Sequence, residues 1–174
     1  MALVIYVASL LYGIYRSFRK TDVAAVIVHP ERNPLTPTQL RLGVIEIRFE
    51  KPSFKYLAGQ WVWLNVPALS RLQFHPFTIT SAPSDPYVSL HIRCVGDWTD
   101  ELALHVGATR DAEETATSTG LALSVPVNLK IHVDGPFGAP AELVYREQAV
   151  ICVGAGIGIT PWASVLKDIW YMPV

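Results

Sequence analysis

Several side chains able to do chemistry together lie between Phe74 and Thr99, which reads FHPFTITSAPSDPYVSLHIRCVGDWT. Phe77 offers an aromatic ring, Thr78, Thr80 and Ser81 offer hydroxyls, and His75 and His91 offer imidazoles. Arg93 follows His91 by two residues, so both would lie on one face of a strand. Gly96, Trp98 and Thr99 stand where a helix begins, and a helix N-terminus presents unpaired backbone N–H groups to an anion. A flat aromatic ligand that carries phosphates needs this set: a ring to pack on, polar handles at its edge, and a cation beside backbone donors. Each residue also has a plain structural reading. Phe77 would serve as a core phenylalanine, His75 as a satisfied core histidine and Arg93 as one half of a surface ion pair.

The elements that must position these residues follow from periodicity. His75 to Ser81 alternates large apolar and small polar residues, as a half-buried strand does. Pro83, Ser84, Asp85 and Pro86 then make a turn, and Tyr87 to Val95 alternates again. Asp97 and Thr99 are both suitable N-caps for a helical run from Asp100 to His105. Upstream, Val23 to Val28 reads as a strand that breaks at His29-Pro30, followed by a proline-rich loop through Pro37. Leu40 to Phe49 alternates, and Gly59-Gln60 turns the chain into Trp61 to Val66. Ala108 to Ser124 is small, polar and aperiodic, which predicts a surface loop or weak helix. Pro126 to Val133 resumes as a strand, and Asp134-Gly135-Pro136-Phe137-Gly138 predicts a tight turn. Short strands at this spacing, with glycine and proline between them, indicate an antiparallel barrel or sandwich.

Beyond a polar link at Glu142 to Gln148 the pattern changes. Ala149 to Val153 is five apolar residues in a row, which predicts a strand buried on both faces. Gly154, Gly156 and Gly158 follow, then Thr160-Pro161 and a helical run from Trp162 to Tyr171. Strand, glycine turn and helix together make a nucleotide loop, with phosphates at the helix N-terminus. Ile159 breaks the common G-x-G-x-x-G spacing, and a plain turn explains the glycines alone. A parallel βαβ unit needs a further strand. None follows before Val174, so an incomplete nucleotide-binding domain is expected.

The chain has 174 residues, 51% hydrophobic and 17% charged, with a formal net charge of -1. That balance leaves no basic excess for nucleic acid. Cys94 and Cys152 both sit in apolar runs, which predicts buried reduced thiols. The five histidines lack helical ligand spacing, so no metal site is expected. Met1 to Tyr15 contains no charge and is followed by Arg16, Arg19 and Lys20. A helix of 15 to 18 residues reaches only about 22 to 27 Å, against a hydrocarbon core of about 30 Å. The end of a membrane helix, with the basic residues on the cytosolic side, is the favoured reading. A signal peptide and a buried helix are the alternatives.

HPFTITSAP at His75–Pro83, HIRCVGDWT at His91–Thr99, DGPFG at Asp134–Gly138 and VGAGIGITPWASVLKDIWY at Val153–Tyr171 resemble the dehydrogenase region of NADPH oxidases and their ferric-reductase relatives. The resemblance runs from about His29 to Tyr171. It implies a mainly β fold: an antiparallel Greek-key FAD-binding barrel over residues 22–140 and the start of an NAD(P)-binding α/β domain over 147–174. The end of a transmembrane helix over 1–18 would precede them. It implies FAD contacts at His75, Pro76, Phe77, Thr78, Thr80, Ser81, His91, Arg93, Gly96, Trp98 and Thr99. Phe77 would lie against the flavin ring, Thr78 near its N5 edge and Arg93 on the diphosphate. It implies NADPH contacts at Gly154, Gly156, Gly158, Thr160 and Pro161. Electrons would pass from NADPH to FAD and on to haem in membrane helices of the parent protein, with the β domain on the cytosolic side. The acceptor would be oxygen, or ferric iron in the alternative. These residues alone would bind FAD without efficient NADPH oxidation. A non-catalytic membrane-attached module and a soluble flavin reductase are the competing readings.

Overall fold

The structure, a computed structural model, describes residues 2–17, 20–31, 41–50, 52, 54–107, 123–125 and 128–173. Arg19, the proline-rich stretch and most of Ala108 to Ser124 lie outside them. In chain order the elements are α1 (Ala2–Ser17), β1 (Lys20–Glu31), β2 (Arg41–Phe49), β3 (Trp61–Asn65), β4 (His75–Thr78), β5 (Val88–Arg93), α2 (Asp97–His105), β6 (Leu123–Val125) and β7 (Lys130–Phe137). Two short 3-10 helices, Pro140–Arg146 and Gly156–Ile159, lead into α3 (Thr160–Tyr171).

All the ladders are antiparallel, in the order β4-β3-β7-β1-β2-β5, with β6 beside β1. A bridge from Ile79 to Leu90 joins the two outer strands and closes the sheet into a Greek-key barrel. Alternation produces the core. Ile45, Ile47 and Phe49 of β2 and Leu90 and Ile92 of β5 point inward and are fully buried, as are Val26, Val28, Val62, Leu64, Ile79 and Ile131. α2 closes one end by laying Leu102 and Ala103 into the same cluster.

Several local expectations fail for physical reasons. β1 does not break at His29-Pro30, because pairing with β2 carries it on to Glu31 across a register shift. Asp134 to Phe137 is not a turn. It stays in β7, paired with Trp61 and Trp63 across a bulge, and Gly135 absorbs the irregularity at a φ of 139°. Leu123–Val125 is strand instead of loop because it pairs with Val26–Val28. α2 starts at Asp97, with Gly96 as its N-cap. Thr99 works from inside the first turn, its hydroxyl accepting from the Gly96 N–H at 3.0 Å.

The largest correction concerns Ala149 to Val153. It forms no strand, and Ile151 and Val153 are 90% and 81% exposed. An apolar run becomes a buried strand only where neighbouring strands satisfy its backbone, and among the described residues none does. Cys152 is therefore exposed, while Cys94 is buried as expected; neither forms a disulfide. α1 leaves Leu3, Val4, Ile5, Tyr6, Tyr12 and Tyr15 exposed. No described helix is long and apolar enough to cross a membrane.

A Cβ on Gly135 would stand 3.0 Å from Val62 Cγ1 and 3.2 Å from the Trp61 carbonyl oxygen, at a φ that L side chains avoid. Gly135→Ala is expected to lower unfolding free energy by at least about 1 kcal/mol. Gly158→Ala, with nothing within 4 Å of its Cβ, should change it by less than about 0.5 kcal/mol. Urea denaturation of both variants checks the contrast.

Candidate flavin and nucleotide site

The sequence-predicted residues separate onto two faces of the barrel. His75 and Phe77 pair with Leu64 and Val62, which are fully buried, and paired residues share a face. Both side chains therefore turn toward the core at the end that α2 covers. Trp98 packs there too, its ring stacked on His75 with centroids 4.1 Å apart and on Phe77 at 6.1 Å. Phe77 is thus neither a pure core residue nor a bare platform. It is partly exposed and packs against the core cluster.

Among the described residues, two buried polar atoms at this end have no protein partner, His75 Nε2 and Trp98 Nε1. An indole N–H has only a proton to give, and a buried one is normally paired. Burial also pushes the His75 pKa down, which keeps the ring neutral at pH 7. Stacked flat rings beside orphaned polar atoms suit a planar heteroaromatic ligand with carbonyl acceptors at its edge.

Thr80, Ser81, His91 and Arg93 lie elsewhere. His91 pairs with Glu46 and Arg93 with Val44, on the outer face of the barrel. Thr80 and Ser81 build the seam between the outer strands. Thr80 Oγ1 bonds the Ser89 carbonyl oxygen at 3.0 Å and His91 Nδ1 at 2.7 Å. Ser81 Oγ accepts from the Ser89 N–H at 3.0 Å and meets the Tyr56 hydroxyl at 2.8 Å. The Tyr56 hydroxyl donates to the Ala82 carbonyl at 2.7 Å. Burial holds the Tyr56 pKa up at about 12, against the pull of Ser81. The hydroxyls of Thr80 and Ser81 are therefore committed to the protein.

The glycine loop comes back to this seam. Ser164 of α3 donates to the Ser81 carbonyl oxygen at 2.6 Å, with both groups buried, and Lys167 reaches the Asp85 carboxylate at 2.6 Å. Val165 is fully buried and faces the turn at Gly59. These contacts bring Gly156 to Arg93: a Cβ on Gly156 would stand 3.8 Å from the Arg93 guanidinium. Gly156 takes φ 52°, while Gly96 and Gly158 have nothing within 4 Å of where a Cβ would stand. The anion-binding candidates from two separated motifs thus face one space. Thr160 hydrogen-bonds the Ile157 carbonyl at 2.9 Å, and Pro161 opens α3. An open cleft of about 660 Å³ between Leu57-Ala58, the segment from Ala139 to Arg146 and α3 contains none of the sequence-predicted site residues.

Residues that sequence reasoning passed over stand beside His91. Glu46 is 3% exposed. Its Oε1 accepts from Arg48 Nε at 2.6 Å, and its Oε2 lies 3.2 Å from His29 Nε2 and 3.8 Å from His91 Nε2. Burial pushes this carboxyl up, but the hydrogen bonds to His29 and Arg48 and the nearby charges outweigh it, and its pKa falls to about 2. Burial lowers the His91 pKa against the opposing pull of Glu46, so Arg48 is the charge partner at neutral pH. Helical ligand spacing does not reveal this group because its members come from three strands. A glutamate in the middle of an apolar strand was the available signal.

Comparison with known proteins supplies the family. The FAD-binding domain family matches residues 35–141. The chain belongs to that family. It is similar to a superoxide-generating NADPH oxidase heavy chain of Dictyostelium discoideum, 38% identical over 96% of this chain and 30% of that protein. It is likewise similar to NADPH oxidase 3 of Homo sapiens, 37% identical over 97% of this chain and 26% of that protein. The chain thus spans less than a third of these relatives. Its fold matches a ferredoxin-NADP+ reductase from Plasmodium falciparum with TM-score 0.59 at 17% identity, over 88% of this chain and 54% of that one. A ferredoxin NADP+ reductase from Neisseria gonorrhoeae with bound FAD and NADP gives TM-score 0.53 at 15% identity, over 87% and 51%. The expected Greek-key, mainly β fold is the fold observed.

Ser164→Ala would leave the buried Ser81 carbonyl oxygen unpaired and is expected to cost about 1–3 kcal/mol of α3 docking. Hydrogen exchange should show faster exchange across Trp162–Tyr171, with the amides of β2 and β5 unchanged.

Proposed function

We propose that this chain is the flavin-binding dehydrogenase part of a membrane NADPH oxidase. It would take electrons from NADPH to FAD and send them on toward haem and oxygen. Three features of a chain similar to oxidases carry this reading, two at the α2 end of the barrel and one on its outer face. They are the His75–Phe77–Trp98 stack with its orphaned polar atoms, the α2 N-terminus at Gly96, and Arg93 against the Gly156 loop.

In this reading residues 22–140 form the FAD domain and 147–174 open the NAD(P) domain. Trp98, His75 and Phe77 hold the isoalloxazine, with Pro76 and Thr78 at its edge. Arg93 and the backbone N–H groups of the first α2 turn, between Gly96 and Thr99, receive the diphosphate, whose charge suits the guanidinium fork and those donors. Gly154, Gly156, Gly158, Thr160 and Pro161 receive the NADPH phosphates at the start of α3. FAD, when bound, supplies the coupling between a hydride donor and one-electron acceptors. The protein's share is orientation, electrostatics and exclusion of water. Thr80, Ser81 and His91 act indirectly by fixing the seam that places Arg93 and α3.

The exposed apolar side chains of α1 support the remaining part of the proposal. α1 is the last turns of a membrane helix whose haem-carrying partners lie in the parent protein, and the barrel faces the cytosol.

The test is an FAD titration of the detergent-purified chain, followed by flavin fluorescence and tryptophan quenching. Saturable binding is expected, weakened at least about tenfold, or about 1.4 kcal/mol, by Phe77→Ala and by Arg93→Ala. A well-folded β-sheet protein that binds no FAD would overturn the proposal.

A further inference from the structure

We propose that His29, Glu46 and His91 form a site for a divalent transition-metal ion of the zinc class on the outer face of the barrel. The three side chains come from adjacent strands, β1, β2 and β5, and their ligand atoms all lie within 4.8 Å of one another. Glu46 Oε2 stands 3.2 Å from His29 Nε2 and 3.8 Å from His91 Nε2. Ligands about 2.0–2.1 Å from a tetrahedral ion are separated by about 3.3 Å, so the widest separation, at most 4.8 Å, must close by up to about 1.5 Å.

Metal binding would displace the proton that His29 Nε2 donates to Glu46 Oε2 at 3.2 Å, while the other histidine is anchored from behind. The Ser89 carbonyl oxygen only accepts, and Thr80 Oγ1 donates to it at 3.0 Å. His91 Nδ1 lies 2.7 Å from the same hydroxyl oxygen, and in the tautomer that a metal selects Nδ1 carries the proton and Nε2 the lone pair. The 3.8 Å gap between them is too long for a hydrogen bond. Metal-binding histidines are commonly held in this way, one nitrogen fixed by a partner and the other on the ion. Glu46 is prepared in a similar way. Arg48 bonds Oε1 at 2.6 Å and Oε2 at 3.1 Å, which fixes the carboxylate plane. A carboxylate has about four lone-pair sites, and the one on Oε2 that accepts from His29 would pass to the metal.

The donor set selects the ion. Two imidazoles and a single carboxylate suit zinc or a similar borderline metal, whereas calcium and magnesium require mostly oxygen. The side chains of His29 and His91 are 37% and 31% exposed, which leaves solvent access for a fourth ligand. A bound ion would tie three neighbouring strands together beside Thr80, the residue at the barrel seam. The competing arrangement is a metal-free cluster in which Glu46 is shared between Arg48 and the imidazoles.

Cobalt distinguishes the two. The purified chain, stripped with a chelator and free of flavin, is titrated with Co2+ at pH 7 while its visible absorption is recorded. One equivalent should saturate the band, and Zn2+ should displace it. His29→Ala and Glu46→Gln should each weaken Co2+ at least tenfold, and Thr80→Val should weaken it less. Far-ultraviolet circular dichroism checks that each variant keeps its sheet. Should the buried Glu46 variant lose that signal, the half-exposed His29 variant decides alone. Absence of a saturable band in the unaltered chain, or a band indifferent to His29→Ala, would overturn the site. Flavin plays no part in the measurement, so the result stands apart from the FAD titration.

Discussion

The structure depends on joining two sheet edges. β4 and β5 are the end strands of the ladder order, and an open edge leaves a row of unpaired backbone groups. One bridge, Ile79 to Leu90, closes the barrel. The side chains around it carry the joint further: Thr80 reaches Ser89 and His91, and Ser81 reaches Tyr56 and Ser89. Burial makes these bonds consequential, because each hydroxyl and carbonyl here has little water to turn to.

The elements of the proposed site hang from that seam. On the inner side it fixes the strand that presents His75 and Phe77 to Trp98. On the outer side it fixes His91 and, two residues along, Arg93. From the turn that follows, the Ser81 carbonyl and the Asp85 carboxylate hold α3, and α3 in turn brings the Gly156 loop to Arg93. The same short segment therefore sets the distance between the His75–Phe77–Trp98 stack and the glycine loop. Polar residues in it are structural in their immediate contacts and functional in what those contacts position.

Burial and exposure divide the chain in the opposite sense at its two ends. The barrel interior is apolar and complete, with Phe49, Leu90, Ile92 and Ile131 fully enclosed. Around it, α1 and the stretch from Ile151 to Val153 expose large apolar side chains. Surfaces of that kind serve association with lipid or protein, which accords with a chain similar to less than a third of much longer oxidases.

The sequence by itself determined β2 and β5, because alternation there directly encodes which side chains are inside. It also determined the glycine loop before α3, since helix starts and glycine turns are local. The family motifs, also read from sequence, pointed to the flavin. Only the tertiary structure decided the rest. Whether Asp134 to Phe137 turned or stayed in a strand depended on its pairing with Trp61 and Trp63. Whether Ala149 to Val153 became a strand depended on partners that the described residues do not supply. The division of His75 and Phe77 from His91 and Arg93 follows strand register, and so does the meeting of His29, Glu46 and His91. Register is a property of pairs of strands, and sequence order along one strand does not contain it.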